Sequence, residues 1–266
     1  MPELPEVETI KRELEQVIKG SKITEVIINN PAVIREPSAE KFKKELTGVT
    51  IKNVLRRAKV LILELSSGKA LTIHLKMTGQ LVYPGDGKAS RLTFYLAGGK
   101  SIDFNDQRLF ADLRVLDDWR TLKFIQTLGP EPFDITLGKF KDMLKVKKTK
   151  IKPLLLDQTF ISGIGNLYAA EVLFRSGIDP QRPAQSLSEK EKESLFNEIK
   201  KVLREAIHHG GSSVDNYVRL SGKPGGYVAY HKVYGREGKP CLVCKSIIKR
   251  ISLGGRGTYF CPKCQK

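Results

Sequence analysis

The chain has 266 residues, 40% of them hydrophobic, enough for two domains of ordinary size with their own cores and too apolar for a disordered polymer. Its 46 basic residues outnumber 29 acidic ones, and a formal net charge of +17 calls for a polyanionic partner, nucleic acid first among them. No apolar run approaches the roughly 18 residues of a spanning helix and the N-terminus lacks a signal-peptide core, so the expectation is a cytoplasmic, nucleoid-associated protein without a membrane partner.

The chain opens Met1-Pro2-Glu3-Leu4-Pro5-Glu6-Val7-Glu8-Thr9. If Met1 is trimmed, Pro2 carries a free secondary amine. An α-amino group titrates near pH ~8, so an appreciable fraction is neutral and nucleophilic in the neutral range. Glu3 beside it is suited to protonating a leaving or ring oxygen while the amine attacks. Taken alone, proline and glutamates here are also ordinary helix-start chemistry.

From Pro5 to Lys19, Val7, Ile10, Leu14, Val17 and Ile18 recur at helical spacing, with Gly20 placed to end the helix. Short alternating runs follow at Ile23 to Ile28, Val49 to Leu55, Val60 to Leu65, Ala70 to Leu75, Leu92 to Leu96 and Ser101 to Phe104, several joined by glycine-containing turns. This pattern predicts an antiparallel β-sandwich. Arg56-Arg57-Ala58-Lys59 and His74 are points of charge and polarity that the strand pattern does not require.

Around Thr127-Leu128-Gly129-Pro130-Glu131-Pro132 the pattern changes from strand to helix, as at an interdomain linker. Six lysines against one aspartate between Lys141 and Lys152 suit a phosphate-facing surface. Gly163-Ile164-Gly165-Asn166 then turns sharply into a helix running to about Ser176, with free N–H groups at its start that attract anions. Ser188-Glu189-Lys190-Glu191 is a capping box for a helix carrying Leu195, Ile199, Val202, Leu203 and Ala206. The glycine-rich loop Ser221-Gly222-Lys223-Pro224-Gly225-Gly226 reads as too flexible to be core and suited to closing over a ligand or merely connecting.

All four cysteines lie in the last 26 residues, as Cys241-x-x-Cys244 and Cys261-x-x-Cys264. That spacing is a four-thiolate zinc ribbon, one structural Zn²⁺ with no open coordination position. The segment from Arg236 to Lys266 carries eight basic residues and one acid, and Arg256 falls at the expected hairpin tip, placed to enter a groove.

The N-terminal octet, Arg57-Ala58-Lys59, His74-Leu75-Lys76-Met77-Thr78-Gly79, Gly163-Ile164-Gly165-Asn166, Val233-Tyr234-Gly235-Arg236 and the zinc ribbon ending Cys264-Gln265-Lys266 together resemble bacterial formamidopyrimidine-DNA glycosylases along the whole chain. The resemblance implies an α+β fold: an N-terminal helix plus antiparallel β-sandwich over 1–132, a helical helix-two-turn-helix domain over 133–235, and a four-cysteine zinc finger over 236–266, flanking a DNA cleft. It implies a bifunctional glycosylase and AP lyase that excises oxidised purines such as 8-oxoguanine and formamidopyrimidines from duplex DNA and cleaves the strand by β,δ-elimination. Nothing in the sequence suggests a dimer interface, and a monomer is the expectation. Pro2 would attack C1′ and form an iminium, Glu3 would protonate the ring oxygen, and Lys59 would contact phosphate and assist. His74, Asn166 and Arg256 match phosphate-gripping positions, and Lys152, Lys223 and Tyr234 complete the expected DNA contacts. Met77, Arg108 and Phe110 match the residues that fill the space left by a flipped nucleotide.

Two stretches depart from the family pattern. Asp106-Gln107-Arg108-Leu109-Phe110-Ala111 stands where the family usually reads Asp-Pro-Arg-Arg-Phe-Gly, and Gly226 follows Lys223-Pro224-Gly225 in the lesion loop. Two other readings stay open at this level: the related endonuclease VIII type, which usually has Gly where this chain has Leu4, and a non-catalytic zinc-ribbon binder.

Overall fold

The computed structural model describes residues 1–88 and 90–266. The chain divides into two compact units, Met1–Gln126 with Ala206–Val228, and Thr127–Glu205 with Ala229–Lys266.

The first unit starts with helix α1 (Leu4–Ile18). Pro5 tolerates a first-turn position because its missing N–H would have no helical partner there. The Glu3 N–H, at the N-cap, donates to Glu6 Oε2 at 2.8 Å. Val7, Ile10, Leu14 and Ile18 are buried, whereas Val17, expected on the same face, is 39% exposed because it falls at the edge of that apolar stripe. Gly20 follows with φ +83°, a left-handed conformation glycine adopts without a Cβ clash.

Next come β1 (Ile23–Ile28), β2 (Ile34–Glu36), α2 (Ala39–Leu46), β3 (Ile51–Arg57), β4 (Val60–Leu65), β5 (Ala70–His74), β6 (Gly79–Val82), β7 (Leu92–Leu96), β8 (Ser101–Asp106), β9 (Asp112–Leu116) and α3 (Lys123–Gln126). They form a four-stranded sheet, β1-β7-β8-β6, and a five-stranded sheet, β2-β9-β5-β4-β3. All pairs are antiparallel except β2 with β9. One core joins the two sheets and α1: Val26, Phe94 and Phe104 from the first, Val54, Leu61, Leu71, Ile73 and Leu113 from the second, and Leu14 from the helix. A second small cluster on the outer side of the larger sheet, Val60, Ile62 and Ala70 with Trp119, buries β4 on both faces.

The second unit contains α4 (Leu137–Lys145), α5 (Ile151–Leu156), α6 (Asn166–Arg175) and the first part of α7 (Glu189–His208), whose last residues belong to the first unit. The lysine run is split between α4, the link 146–150 and α5 rather than lying on one helix. Phe140 packs against Phe160 and Phe196, with ring centroids 6.2 and 5.6 Å away. The Ser188 box at the head of α7 is formed: Ser188 N–H donates to Glu191 Oε2 at 2.7 Å and Glu191 N–H to Ser188 Oγ at 3.3 Å. A hydrogen bond from Arg182 outweighs desolvation and, with Ser188, holds the Glu191 carboxyl down at about 2. β10 (Lys249–Leu253) and β11 (Arg256–Phe260) pair as the C-terminal hairpin. The fold is α+β, and among the described residues no helix is long and apolar enough to cross a membrane.

Candidate active site, nucleic-acid interface and metal centre

Pro2 and Glu3 are buried at the head of α1. Glu6, also buried, accepts the Glu3 N–H through Oε2 and the Ser212 N–H through Oε1 at 2.9 Å. One carboxylate thereby ties the N-terminal residues to the chain that returns after α7. Gly211 makes this approach possible: a Cβ there would lie 3.0 Å from Glu6 Cγ, at φ +78°.

Lys59 sits at the β3–β4 turn and is 7% exposed. The turn passes through Ala58 at φ 51°, an unfavourable conformation for a residue with a Cβ. It is braced by Arg56, whose guanidinium donates to the Ala58 carbonyl at 3.0 Å and to Glu8 Oε2 on α1 at 2.7 Å. Burial would raise the Glu8 carboxyl, but hydrogen bonds from Arg56 and Arg12 win and hold it below its ordinary range. The bracing thus connects the Lys59 turn to the helix that starts at Glu3.

At the end of β5, His74 Nδ1 accepts the Lys76 N–H at 3.1 Å. Burial pushes the imidazole down to about 3, and the charges of Lys76 and Lys59 act in the same direction. His74 is therefore neutral near pH 7, with its proton on Nε2, a hydrogen-bond donor rather than a cation. The following turn exposes Met77 by 37% and packs Gly79 so closely that a Cβ would lie 2.5 Å from the Leu75 carbonyl oxygen.

Arg108 and Phe110 project from the turn between β8 and β9. The Arg108 guanidinium lies 4.6 Å from the Phe110 ring centre, and Phe110 is 49% exposed. Between them Leu109 adopts φ 56° and packs on the core, while its carbonyl accepts from Arg35 at 3.2 Å. Gln107 Oε1 accepts from Asn216 Nδ2 at 3.0 Å, a bond that a proline could not make.

Lys223 is exposed, but its loop is pinned rather than loose. Arg219 N–H donates to the Lys223 carbonyl at 2.8 Å, Gly225 N–H to Ser213 Oγ at 2.9 Å and Gly226 N–H to the His209 carbonyl at 2.8 Å. Gly225 is buried, and a Cβ on it would lie 2.3 Å from the Gly210 carbonyl oxygen. The expectation of a flexible stretch fails at Gly225, which serves close backbone packing, whereas Gly222 is exposed with open space around it at φ +76°.

In the second unit, Asn166 opens α6. Its side chain donates to the Gly257 carbonyl at 3.0 Å and accepts from Lys152 Nζ at 2.5 Å. Lys152 is 0% exposed, and its ammonium also donates to Thr258 Oγ1 at 2.8 Å. The expected direct DNA contact by Lys152 is corrected accordingly: the ammonium is enclosed beneath Asn166 and the hairpin, where it orients both. Tyr234 is likewise only part-exposed, its ring 5.2 Å from Tyr259, so most of it belongs to the packing around the cysteines. Arg256 is exposed at the turn of the hairpin.

Glu171 belongs to none of the motifs. It is fully buried on α6 and accepts the successive N–H groups of Lys232, Val233 and Tyr234 at 2.8, 3.0 and 2.8 Å. A carboxylate amid Ala169, Ala170, Val172 and Leu173 was the available signal, since a buried charge requires such partners.

Cys241, Cys244, Cys261 and Cys264 bring their sulfurs within 4.8 Å of one another. Tetrahedral zinc at about 2.3 Å from each sulfur requires sulfurs roughly 3.8 Å apart, so the four residues fit the ion. The Val243 N–H donates to Cys241 Sγ at 3.4 Å, a bond that suits a thiolate acceptor.

Comparison with known proteins agrees along the full length. Residues 1–113 match the formamidopyrimidine-DNA glycosylase N-terminal domain, 128–218 the helix-two-turn-helix domain of the same proteins, and 238–266 a zinc finger found in FPG and IleRS. The formamidopyrimidine-DNA glycosylase of Pelotomaculum thermopropionicum is 42% identical over 274 residues, covering 100% of this chain and 99% of the relative. The crystal structure of the MutM (Fpg) protein of Thermus thermophilus superposes with a TM-score of 0.89 at 38% identity, covering 99% of this chain and 98% of that one. A Lactococcus lactis Fpg variant solved with Fapy-dG-containing DNA gives 0.90 at 37% identity, with both chains fully covered. With helix α1, both sheets, the helical unit and the cysteine hairpin all matched in one continuous alignment, the chain belongs to the formamidopyrimidine-DNA glycosylase family.

Proposed function

We propose that this protein is a monomeric, cytoplasmic bifunctional DNA glycosylase and AP lyase that removes oxidised purines, 8-oxoguanine and formamidopyrimidines, from duplex DNA at the nucleoid. The observation that carries this reading is the Glu6 clamp, which fixes Pro2-Glu3 in a buried, hydrogen-bonded position instead of leaving a loose end.

After removal of Met1, the Pro2 nitrogen attacks C1′ of the damaged nucleotide. The C1′–base bond breaks, and the departing base takes up the proton that the Pro2 nitrogen sheds on bonding to C1′. Glu3 protonates the ring oxygen as the C1′–O4′ bond opens, and the nitrogen lone pair forms the C1′ iminium. Loss of a C2′ proton breaks the C3′–O bond and expels the 3′ phosphate, loss of the C4′ proton breaks the C5′–O bond and expels the 5′ phosphate, and water hydrolyses the iminium to free the Pro2 amine. Lys59 contacts phosphate beside this chemistry. His74, Asn166, Lys223 and Arg256 hold the backbone, Tyr234 supports the Arg256 hairpin, and Met77, Arg108 and Phe110 occupy the space of the flipped nucleotide.

Residues 1–132 carry the chemistry and share the grip on DNA with 133–235, whose stretch Ala206–Val228 packs in the first unit, and 236–266 form the zinc finger that presents Arg256. The four cysteines hold one Zn²⁺, which fixes the hairpin and leaves no position for substrate. Borohydride trapping tests the reading: duplexes with 8-oxoguanine or an abasic site yield a covalent complex, while trapping only with thymine glycol would reassign the substrate to oxidised pyrimidines.

A further inference from the structure

The three residues proposed to fill the vacated space come from two separate turns. Met77 lies between β5 and β6, and Arg108 and Phe110 lie between β8 and β9. Such a wedge must enter a base stack as one body, because a side chain that moves independently loses the benefit of the others' displacement of water and bases. The two turns meet at one side chain, Asp106, the last residue of β8, which is 1% exposed.

Asp106 Oδ1 accepts the Thr78 hydroxyl in a short hydrogen bond and the Arg108 N–H at 3.2 Å. Its Oδ2 accepts the Ala111 N–H at 2.8 Å. Thr78 Oγ1 in turn accepts the Arg108 N–H at 3.1 Å, so the hydroxyl joins both turns as well. The main chain of Asp106 pairs with Gly79, and its carbonyl accepts from Arg91 Nε at 3.1 Å, which fixes the carboxylate against the sheet. The three groups that donate to this carboxylate belong to Arg108 itself and to Thr78 and Ala111, the neighbours of Met77 and Phe110. The hydrogen bonds therefore convert two turns into one rigid piece.

We propose that Asp106, with Thr78 as its bridge, is a positioning residue that locks Met77, Arg108 and Phe110 into a single wedge. The inference rests on the proposed role of those three side chains in the duplex. It adds that their insertion is concerted and is set by a carboxylate that itself touches no DNA.

The test uses the full-length zinc-loaded protein and the variants Thr78→Ser, Thr78→Val and Asp106→Asn. One probe is a duplex with a tetrahydrofuran site opposite 2-aminopurine, whose fluorescence reports wedge insertion without any chemistry. The other is borohydride trapping on a single-stranded abasic oligonucleotide, which offers no stack to enter. Thr78→Val and Asp106→Asn should slow the fluorescence change about 10- to 100-fold, while single-strand trapping stays within about twofold of wild type. Thr78→Ser, which keeps the hydroxyl, should match wild type on both probes. Unchanged insertion in Thr78→Val, or equal losses on both probes in that variant, would overturn the proposal. Wild-type protein that inserts but never traps would sink the proposed reaction and leave the wedge intact.

Discussion

Glu6 accepts the backbone N–H of Glu3 at 2.8 Å, and its second carboxylate oxygen accepts the Ser212 N–H at 2.9 Å. A glutamine at position 6 keeps one acceptor and turns an NH₂ toward the other donor, leaving a buried N–H without its bond. We expect Glu6→Gln to lose about 1–3 kcal/mol of stability and to slow single-turnover trapping at least roughly tenfold through misplacement of Pro2. DNA affinity should hold. Urea denaturation and rapid-quench trapping measure the two effects, and a normal trapping rate would remove Glu6 from the catalytic arrangement.

His74 gives a pH prediction with a definite sign. Its folded-state value is pushed down to about 3, so between about 3 and 6.5 the unfolded chain carries a proton that the folded chain lacks. Stability from this residue therefore falls as pH falls through that window, by up to about 1.4 kcal/mol per pH unit. His74→Gln should flatten the acid limb of the stability profile. An unchanged limb would show that His74 is protonated in the folded protein.

Arg256 and Lys152 separate by salt dependence. Arg256 is exposed, so Arg256→Ala should weaken DNA binding and reduce the slope of log K against log salt by about one counterion. Lys152→Met should weaken binding by disordering Asn166 and the hairpin, with the slope retained, because the buried ammonium donates to Asn166 and Thr258. Equal slope changes in both variants would mean that Lys152 reaches phosphate.

These contrasts also mark what could be read from the residues alone. The helix at the N-terminus, the longer strands and the cysteine hairpin were legible because apolar periodicity and metal spacing are local signals. β2, β6 and β9 were not, since three-residue Ile34–Glu36, glycine-led Gly79–Val82 and charge-interrupted Asp112–Leu116 depend on partner strands for their identity. The candidate residues Glu3, Lys59 and the cysteines stood out by motif. The carboxylates that brace the candidate residues did not stand out: Glu6 holds Glu3, Glu8 braces the Lys59 turn through Arg56, and Glu171 holds the backbone of Lys232 to Tyr234. Their partners lie up to 206 residues away, as Ser212 is from Glu6, and such partners leave no spacing pattern.

Metal removal should act on the finger first. Cys264→Ser, or chelation of the wild-type protein, should release the bound ion, loosen the hairpin that carries Arg256, and reduce DNA affinity while the β-sandwich stays folded. Metal analysis and near-ultraviolet circular dichroism follow the two events. Undiminished DNA binding after complete metal loss would assign the finger no part in the interface.

The most direct test of the proposed chemistry is the position of the covalent bond. Borohydride-trapped complex formed with abasic duplex is digested and sequenced by mass spectrometry. The expected adduct lies on the nitrogen of Pro2 in chains that have lost Met1, and chains that retain Met1 yield none. An adduct on Lys59 or another lysine, or trapping at full rate with Met1 in place, would contradict Pro2 as the nucleophile.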